Sequence, residues 1–182
     1  MFETERLILR PLRGRDVDQI FAMRSDANVM RSIREPQNWE ESVNWLKLVS
    51  SRWQTEKIGF CAIIEKQTGE FVGWCGIWRL KETNELEIGY AVAKKYWGRG
   101  FATEAALEFL QYAFQELKPD KIVAIAHHEN MASQRVMTKL GMSFVKTGEF
   151  YGQNLAQYAI TKEEFLTQSY KNVLTQRRME HG

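Results

Sequence analysis

Two cysteines, three prolines and three histidines are all that the 182 residues contain, and no apolar run is long enough to span a bilayer. Each scarcity closes a class. Cys61 and Cys75 supply neither a disulfide framework nor a four-ligand zinc site. Read as reduced core residues, they suit an intracellular chain. The start, MFETERLILR, is charged from Glu3 onward and lacks the apolar segment of a signal peptide, so the expected location is the cytoplasm, away from membranes. Neither sign of charge prevails: 25 basic residues stand against 23 acidic ones, a formal net charge of +2. That balance argues against a nucleic-acid partner, which asks for a strongly basic face. His127 and His128 form the one histidine pair, with no carboxylate spacing to match, and no metal site is expected.

What is present is enough apolar and aromatic material for one core, in a length that fits a single domain over residues 1–182. The periodicities predict strands over 4–12, 60–65, 71–80, 85–93, 121–127, 143–150 and 155–161. They predict helices over 16–26, 38–57, 103–117 and 131–140, and a terminal helix from about 162 to 176 before a polar tail to 182. Trp45, Val49 and Trp53 recur at four-residue spacing and share one helix face. Gly59 is expected to close that helix. Met30 to Asn38 breaks the pattern and reads as a loop around Pro36. Leu166, Tyr170, Val173 and Leu174 make a stripe on the last helix that packs on the domain or on a second copy, so a homodimer is one expectation. The order of elements is a mixed α/β sheet with meander-like pairing in its first half, not the regular alternation of a doubly wound fold.

The stretch YAVAKKYWGRGFATEA, Tyr90 to Ala105, stands out. It leaves a strand, passes Gly98 and Gly100, and enters a helix near Ala102. Glycine weakens both strand and helix, so its placement here needs another reason. A helix start carries unpaired N–H groups and a partial positive charge. A glycine loop lets such groups converge on one anion, a phosphate or pyrophosphate. Arg99, with Lys94 and Lys95 near it, adds charge, and the Thr103 hydroxyl can donate at the helix start. A Walker A loop is excluded because Phe101-Ala102-Thr103 follows Gly100 where Lys-Ser/Thr is required. A dinucleotide fingerprint is excluded because position 103 is Thr. Taken alone, the stretch also reads as an ordinary strand-to-helix turn.

It does not stand alone. Trp97-Gly98-Arg99-Gly100-Phe101-Ala102 resembles the coenzyme A pyrophosphate motif of the GNAT acetyltransferase superfamily, with Trp where Arg or Gln is usual. ETERLILRPL, TGEFVGWCGI and ENMASQRVMTKLGM, in that order, resemble the Rim-type branch, the ribosomal-protein N-terminal acetyltransferases and their relatives. The resemblance covers Glu3 to Phe165 and implies a GNAT fold: a mostly antiparallel central sheet flanked by helices, with two central strands, 85–93 and 121–127, splayed apart. It implies acetyl-CoA as co-substrate, its pantetheine arm lying in the gap against the backbone of Ala91, Val92 and Ala93. It also implies that Asn130 and Ser133 match the family's Asn-x-x-Ser after the second splayed strand. Asn130 then bonds the pantetheine amide, caps the following helix, or does both.

The implied reaction is direct transfer of acetyl from the thioester to a primary amine, with no covalent enzyme intermediate. Such a reaction needs a neutral amine, a donor for the oxyanion and a proton for the leaving thiolate. A backbone N–H near Val92 is the implied oxyanion donor. Glu85, Glu87, Gly89 and Ala91 share one strand face, a carboxylate followed by small residues. Glu87 is therefore the candidate base, directly or through water, or else a solvated glutamate or structural ion-pair member. Ser133 is the candidate acid, or a first-turn serine. The acceptor is a protein N-terminal α-amine or a small-molecule amine. Glu40, Glu41, Glu82 and Glu85 permit an acidic mouth for basic acceptors. A non-catalytic acyl-coenzyme A binding or sensing domain is the alternative.

Overall fold

The structure, a computed structural model, describes residues 1–31 and 33–168. The predicted residues 169–176 of the terminal helix, with Tyr170, Val173 and Leu174, and the tail to 182 lie outside them. Eight strands form one sheet: β1 Phe2–Glu3, β2 Leu7–Pro11, β3 Gly59–Glu65, β4 Phe71–Arg79, β5 Leu86–Val92, β6 Lys121–Ala126, β7 Ser143–Phe150 and β8 Gln153–Thr161. Their order is β1-β2-β3-β4-β5-β6-β8-β7. The first five are sequential neighbours, the meander expected, and every contact is antiparallel except β5 with β6.

The helices are α1 Val17–Arg24, α2 Ala27–Met30, α3 Trp39–Glu56, α4 Phe101–Tyr112 and α5 Met131–Lys139, and residues 162–168 are helical too. Helix α3 begins where its chemistry dictates. The Asn38 side chain accepts from the Glu41 N–H at 2.9 Å, and Glu41 Oε2 accepts from the Asn38 N–H at 2.8 Å, so each caps the other. Its end differs from expectation. Lys57 takes the left-handed position (φ 58°), and Gly59 is already the first residue of β3. Two short elements escaped the sequence reading, β1 and α2, each below the length at which a periodicity shows. Helix α4 ends earlier than expected, at Tyr112, and continues as one wide turn over Ala113–Leu117.

The sheet is covered on both faces. Helix α4 buries Phe101, Ala105, Ala106, Phe109 and Leu110 against Leu86 and Ile88 of β5 and the facing residues of β2 to β4. On the other face, Ile20 and Met23 of α1 and Leu46 and Val49 of α3 pack on Ala62, Trp74 and Ala91. Strand β5 thus shows the predicted alternation: Leu86 and Ile88 toward one layer, Ala91 toward the other. Cys61 and Cys75 face each other in register across β3 and β4, both buried and both free. Burial pushes the Cys61 thiol up to about 12 and holds the Cys75 thiol well above its ordinary value, so neither is a nucleophile near neutral pH.

Candidate active site

Strands β5 and β6 meet at one register pair, Glu87 with Val123, whereas β5 pairs with β4 over its whole length. Past Glu87 the two central strands part, as the splay predicted. The unpaired edge can be assigned group by group. Backbone bonding alternates along an antiparallel pair. The Ala93 N–H donates to the Val72 carbonyl at 2.9 Å, so Val92 and Tyr90 turn their N–H and C=O groups away from β4, into the gap. The Val92 carbonyl is taken by the Trp97 indole N–H at 2.7 Å. The Val92 N–H is left facing the gap. Ala91 turns its groups to β4, and the Ala93 carbonyl accepts from Tyr96 at 2.9 Å. Tyr90, not assigned from the sequence, also lies on the open edge.

Beyond Ala93 a short turn, Lys94–Tyr96, leads to Trp97 and the glycines. Gly98 has φ 78° and Gly100 φ 82°, left-handed values that tax any side chain. A Cβ at Gly98 would point into open space, so the backbone conformation, not crowding, requires glycine. Helix α4 starts at Phe101, and the N–H groups of Phe101, Ala102 and Thr103 have no intrahelical acceptor. Open N–H groups converging at a helix start, beside an unpaired strand edge, fit a pyrophosphate followed by an extended amide-bearing arm. The cations beside the loop each have a partner. Arg99 is not a loose charge: its guanidinium pairs with Glu65, whose side chain is 4 % exposed, and lies 4.5 Å from the Phe101 ring centroid. Lys95 pairs with Glu70 at 3.0 Å. The Lys94 ammonium reaches Asn28 at 3.4 Å. The loop is held from behind by Arg6, which donates to the Arg99 carbonyl at 2.9 Å and to Glu104 at 2.7 Å. Burial works to raise the Glu104 carboxyl, but bonds from Thr4 and Arg6 outweigh it and hold it below the usual range.

Glu87 sits at the fork, buried. The Tyr151 hydroxyl donates to its Oε2. Burial pushes Glu87 up to about 7; Tyr151 opposes the rise, Glu82 adds to it and Arg34 opposes it. Tyr151 lies in the turn between β7 and β8 with φ 53°, a left-handed conformation uncommon for an aromatic residue. Its N–H donates to Glu82 at 2.6 Å. No sequence signal pointed to Tyr151, which is 64 positions from its partner.

Ser133 is on the other side of the fork. Its N–H donates to the Asn130 side chain at 3.0 Å, so Asn130 is the expected cap of α5. Its Oγ is 3.0 Å from the Tyr90 hydroxyl, which also donates to the Ser133 carbonyl at 3.1 Å. Burial pushes the Tyr90 phenol above its usual value, against the Ser133 bond. Glu87 and Tyr90 are three apart on a strand and face opposite ways. Glu87 and Ser133 therefore flank the gap from its two faces and do not touch. The acids expected to line an acceptor mouth are largely engaged: Glu41 in the α3 cap, Glu82 with Tyr151, and Glu85 with Lys121 at 2.7 Å. Among the described residues no helix is long and apolar enough to cross a membrane.

Residues 6–143 match the family described as the acetyltransferase (GNAT) domain. The Bacillus subtilis protein YkkB is 34 % identical over 164 residues, 85 % of this chain and 92 % of its own length. The FsC-acetyl coenzyme A-N(2)-transacetylase of Aspergillus fumigatus is 30 % identical over 189 residues, 90 % of this chain and 77 % of its own. Among solved structures, an acetyltransferase from Agrobacterium tumefaciens superposes with a TM-score of 0.80 at 23 % identity, covering 88 % of this chain and 94 % of that one. Those matches span the forked sheet, the glycine loop and the Asn130–Ser133 turn together, and the chain belongs to the GNAT family of N-acetyltransferases.

Proposed function

We propose that this acetyl-CoA-dependent N-acetyltransferase moves the acetyl group directly to a primary amine held at the fork between β5 and β6. The observation that carries this reading is the single β5–β6 register pair. It leaves the Val92 N–H unclaimed in the gap, six positions before Gly98 and the loop that turns helix N–H groups outward. Bound there, acetyl-CoA supplies an activated thioester carbonyl. The backbone of Gly98 to Thr103 holds the anionic end, and Asn130 lies along the path of the arm. The Val92 N–H donates to the carbonyl oxygen as negative charge grows on it. Glu87, raised to about 7 by burial, takes the proton of the attacking amine directly or through a water, and a base poised near the working pH suits that task. On the opposite face the Tyr90–Ser133 pair returns a proton to the departing sulfur. Both cysteines are buried with raised thiols, in keeping with direct attack and no acyl-enzyme. The acceptor is a protein N-terminal α-amine or a small-molecule amine, and the whole chain works as one domain.

A thermal melt tests this first. Acetyl-CoA at 100 times its Kd adds about 2.7 kcal/mol, a rise of roughly 5–10 °C for a chain of this size. NAD and ATP are the controls. A rise with acetyl-CoA alone, followed by thiol release with an amine, supports the reading. No rise at saturating acetyl-CoA overturns it. Binding that survives in a Glu87→Gln, Ser133→Ala double variant while turnover is lost separates an enzyme from a domain that only binds acyl-coenzyme A.

A further inference from the structure

Arg24, the last residue of α1, is 3 % exposed. Among the described residues it has no carboxylate partner. One Nη donates to the side-chain oxygen of Gln37, the guanidinium lies 4.2 Å from the Trp45 ring centroid, and Nε has no acceptor at all. A buried charge without a counter-ion is among the costlier things a fold can hold. Burial, then Arg34, draw its pKa down to about 10, with Glu41 opposing, so it remains a cation at neutral pH. Nothing in the packing calls for that charge, since an apolar side chain would cover Trp45 as well.

Its position gives the charge a use. Trp45 is 5.6 Å from Phe60, and Phe60 stacks on Trp78 at 5.9 Å. Trp78 is the cross-strand partner of Glu87. The Phe60 ring also closes to 3.0 Å on the space where Gly89 would carry a Cβ. An aromatic wall thus runs from the buried cation to the buried carboxylate along one sheet face. Arg34, exposed, acts electrostatically on Arg24, Glu87 and Tyr151 alike, which adds positive charge to the same side. Two acids also act on this side, Glu41 on Arg24 and Glu82 on Glu87, and each is already held, Glu41 in the α3 cap and Glu82 by the Tyr151 N–H.

We infer that the acceptor carries a carboxylate at the end away from its amine, received by Arg24 in place of the Gln37 amide oxygen, with Trp45, Phe60 and Trp78 lining the stem between. The inference rests on the reading of Glu87 as the group that takes the amine proton. A carboxylate satisfies Nε and Nη2 side by side, which the single amide oxygen does not. A site built to pair a polar group discriminates strongly against the analogue that lacks it.

The test pairs ω-amino carboxylates, from 3-aminopropanoate to 6-aminohexanoate, with their primary amides. Two readouts are taken: kcat/KM by thiol release from acetyl-CoA, and quenching of tryptophan fluorescence on binding. In the wild-type chain the best carboxylate is favoured over its amide by at least about tenfold. In Arg24→Met that ratio falls to about one, and Arg24→Lys restores part of it. Gln37→Glu, which places an internal carboxylate beside an intact Arg24, lowers the same ratio and guards against a folding artefact in the Arg24 variants. A wild-type ratio near one, or a ratio that survives in Arg24→Met, overturns the inference. If acetyl-CoA binds but neither series is turned over, quenching decides: carboxylate-selective quenching lost in Arg24→Met supports the inference, and its absence overturns it. Failure of acetyl-CoA to bind breaks the transferase reading itself and takes the inference with it.

Discussion

At Val92, the C-terminal end of β5, what faces the gap is backbone: one strand N–H, then helix N–H groups past two left-handed glycines. At Glu87, five residues earlier, the surroundings are side chains gathered from far apart: Tyr151 from the β7–β8 turn, Trp78 across the strand pair on β4 and, at the far end of the aromatic wall, Arg24 from α1. On the proposed reading the donor end recognises something fixed in chemistry, so backbone geometry suffices for it, and the acceptor end distinguishes one amine from another through side chains, which can change without disturbing the sheet.

The sharpest way to break this contrast is at Glu87. Glu87→Gln removes the proposed base and should lower kcat by about 10²-fold or more, while the KM for acetyl-CoA stays near wild type. An unchanged kcat across pH 6–9 would remove Glu87 from the chemistry. The pH profile of the wild-type chain should show an activity limb rising near pH 7. Stability should run the other way. Because the folded-state value is raised above the ordinary 4.5, the folded chain binds more protons than the unfolded one between those values. Stability from this group is full below about 4.5 and declines as pH rises through about 7. Glu87→Gln escapes that decline, so its melting temperature should gain on the wild type with rising pH. The gain is on the order of 3 kcal/mol above pH 7 at most.

A change at the other end should produce the mirror image. Gly100 has φ 82° and a Cβ there would lie 3.4 Å from Arg6. Gly100→Ala forces a left-handed alanine, costing roughly 1–2 kcal/mol, or lets the loop relax and lose its convergence on the anion. Either way the KM for acetyl-CoA should rise about tenfold with kcat little changed. Equal effects on both constants would mean that the two ends are not separable. This end was the legible one. Gly98 and Gly100 announced themselves because no regular element wants them, and the helix after them was strongly periodic. The meander and the Asn130 cap were legible for similar local reasons. Tyr151 and Arg24 were not, because a lone tyrosine in a turn and an arginine ending a helix carry no local mark. Their roles exist only through contacts made across the sheet. Tyr90 lay between: its strand face was readable, its bond to Ser133 was not. The pairing of Arg99 with Glu65 was not legible either, because the two lie 34 positions apart, one in the loop and one at the end of β3.

Tyr151→Phe sharpens the acceptor side at smaller cost. The Tyr151 bond favours the ionised form of Glu87. Its loss should move the activity limb to higher pH and lower kcat at pH 7 about three- to tenfold. Recovery near pH 8.5 marks a shifted base. A uniform loss at every pH would mark instead a displaced turn.

The smallest expected effect lies behind the glycine loop. Arg6 bonds the Arg99 carbonyl and Glu104 at once, but its side chain is 46 % exposed, so water and salt screen much of the interaction. Arg6→Ala should cost about 0.5–1 kcal/mol in stability and raise the KM for acetyl-CoA two- to fivefold, with kcat unmoved and the difference shrinking in high salt. Arg6→Lys should restore little, since one ammonium cannot span both acceptors as the planar fork does. An effect on kcat as large as that on KM would show that the loop behind the donor and the carboxylate at the fork answer to one another. Backbone recognition and side-chain recognition would then be parts of a single device and not two ends of one strand.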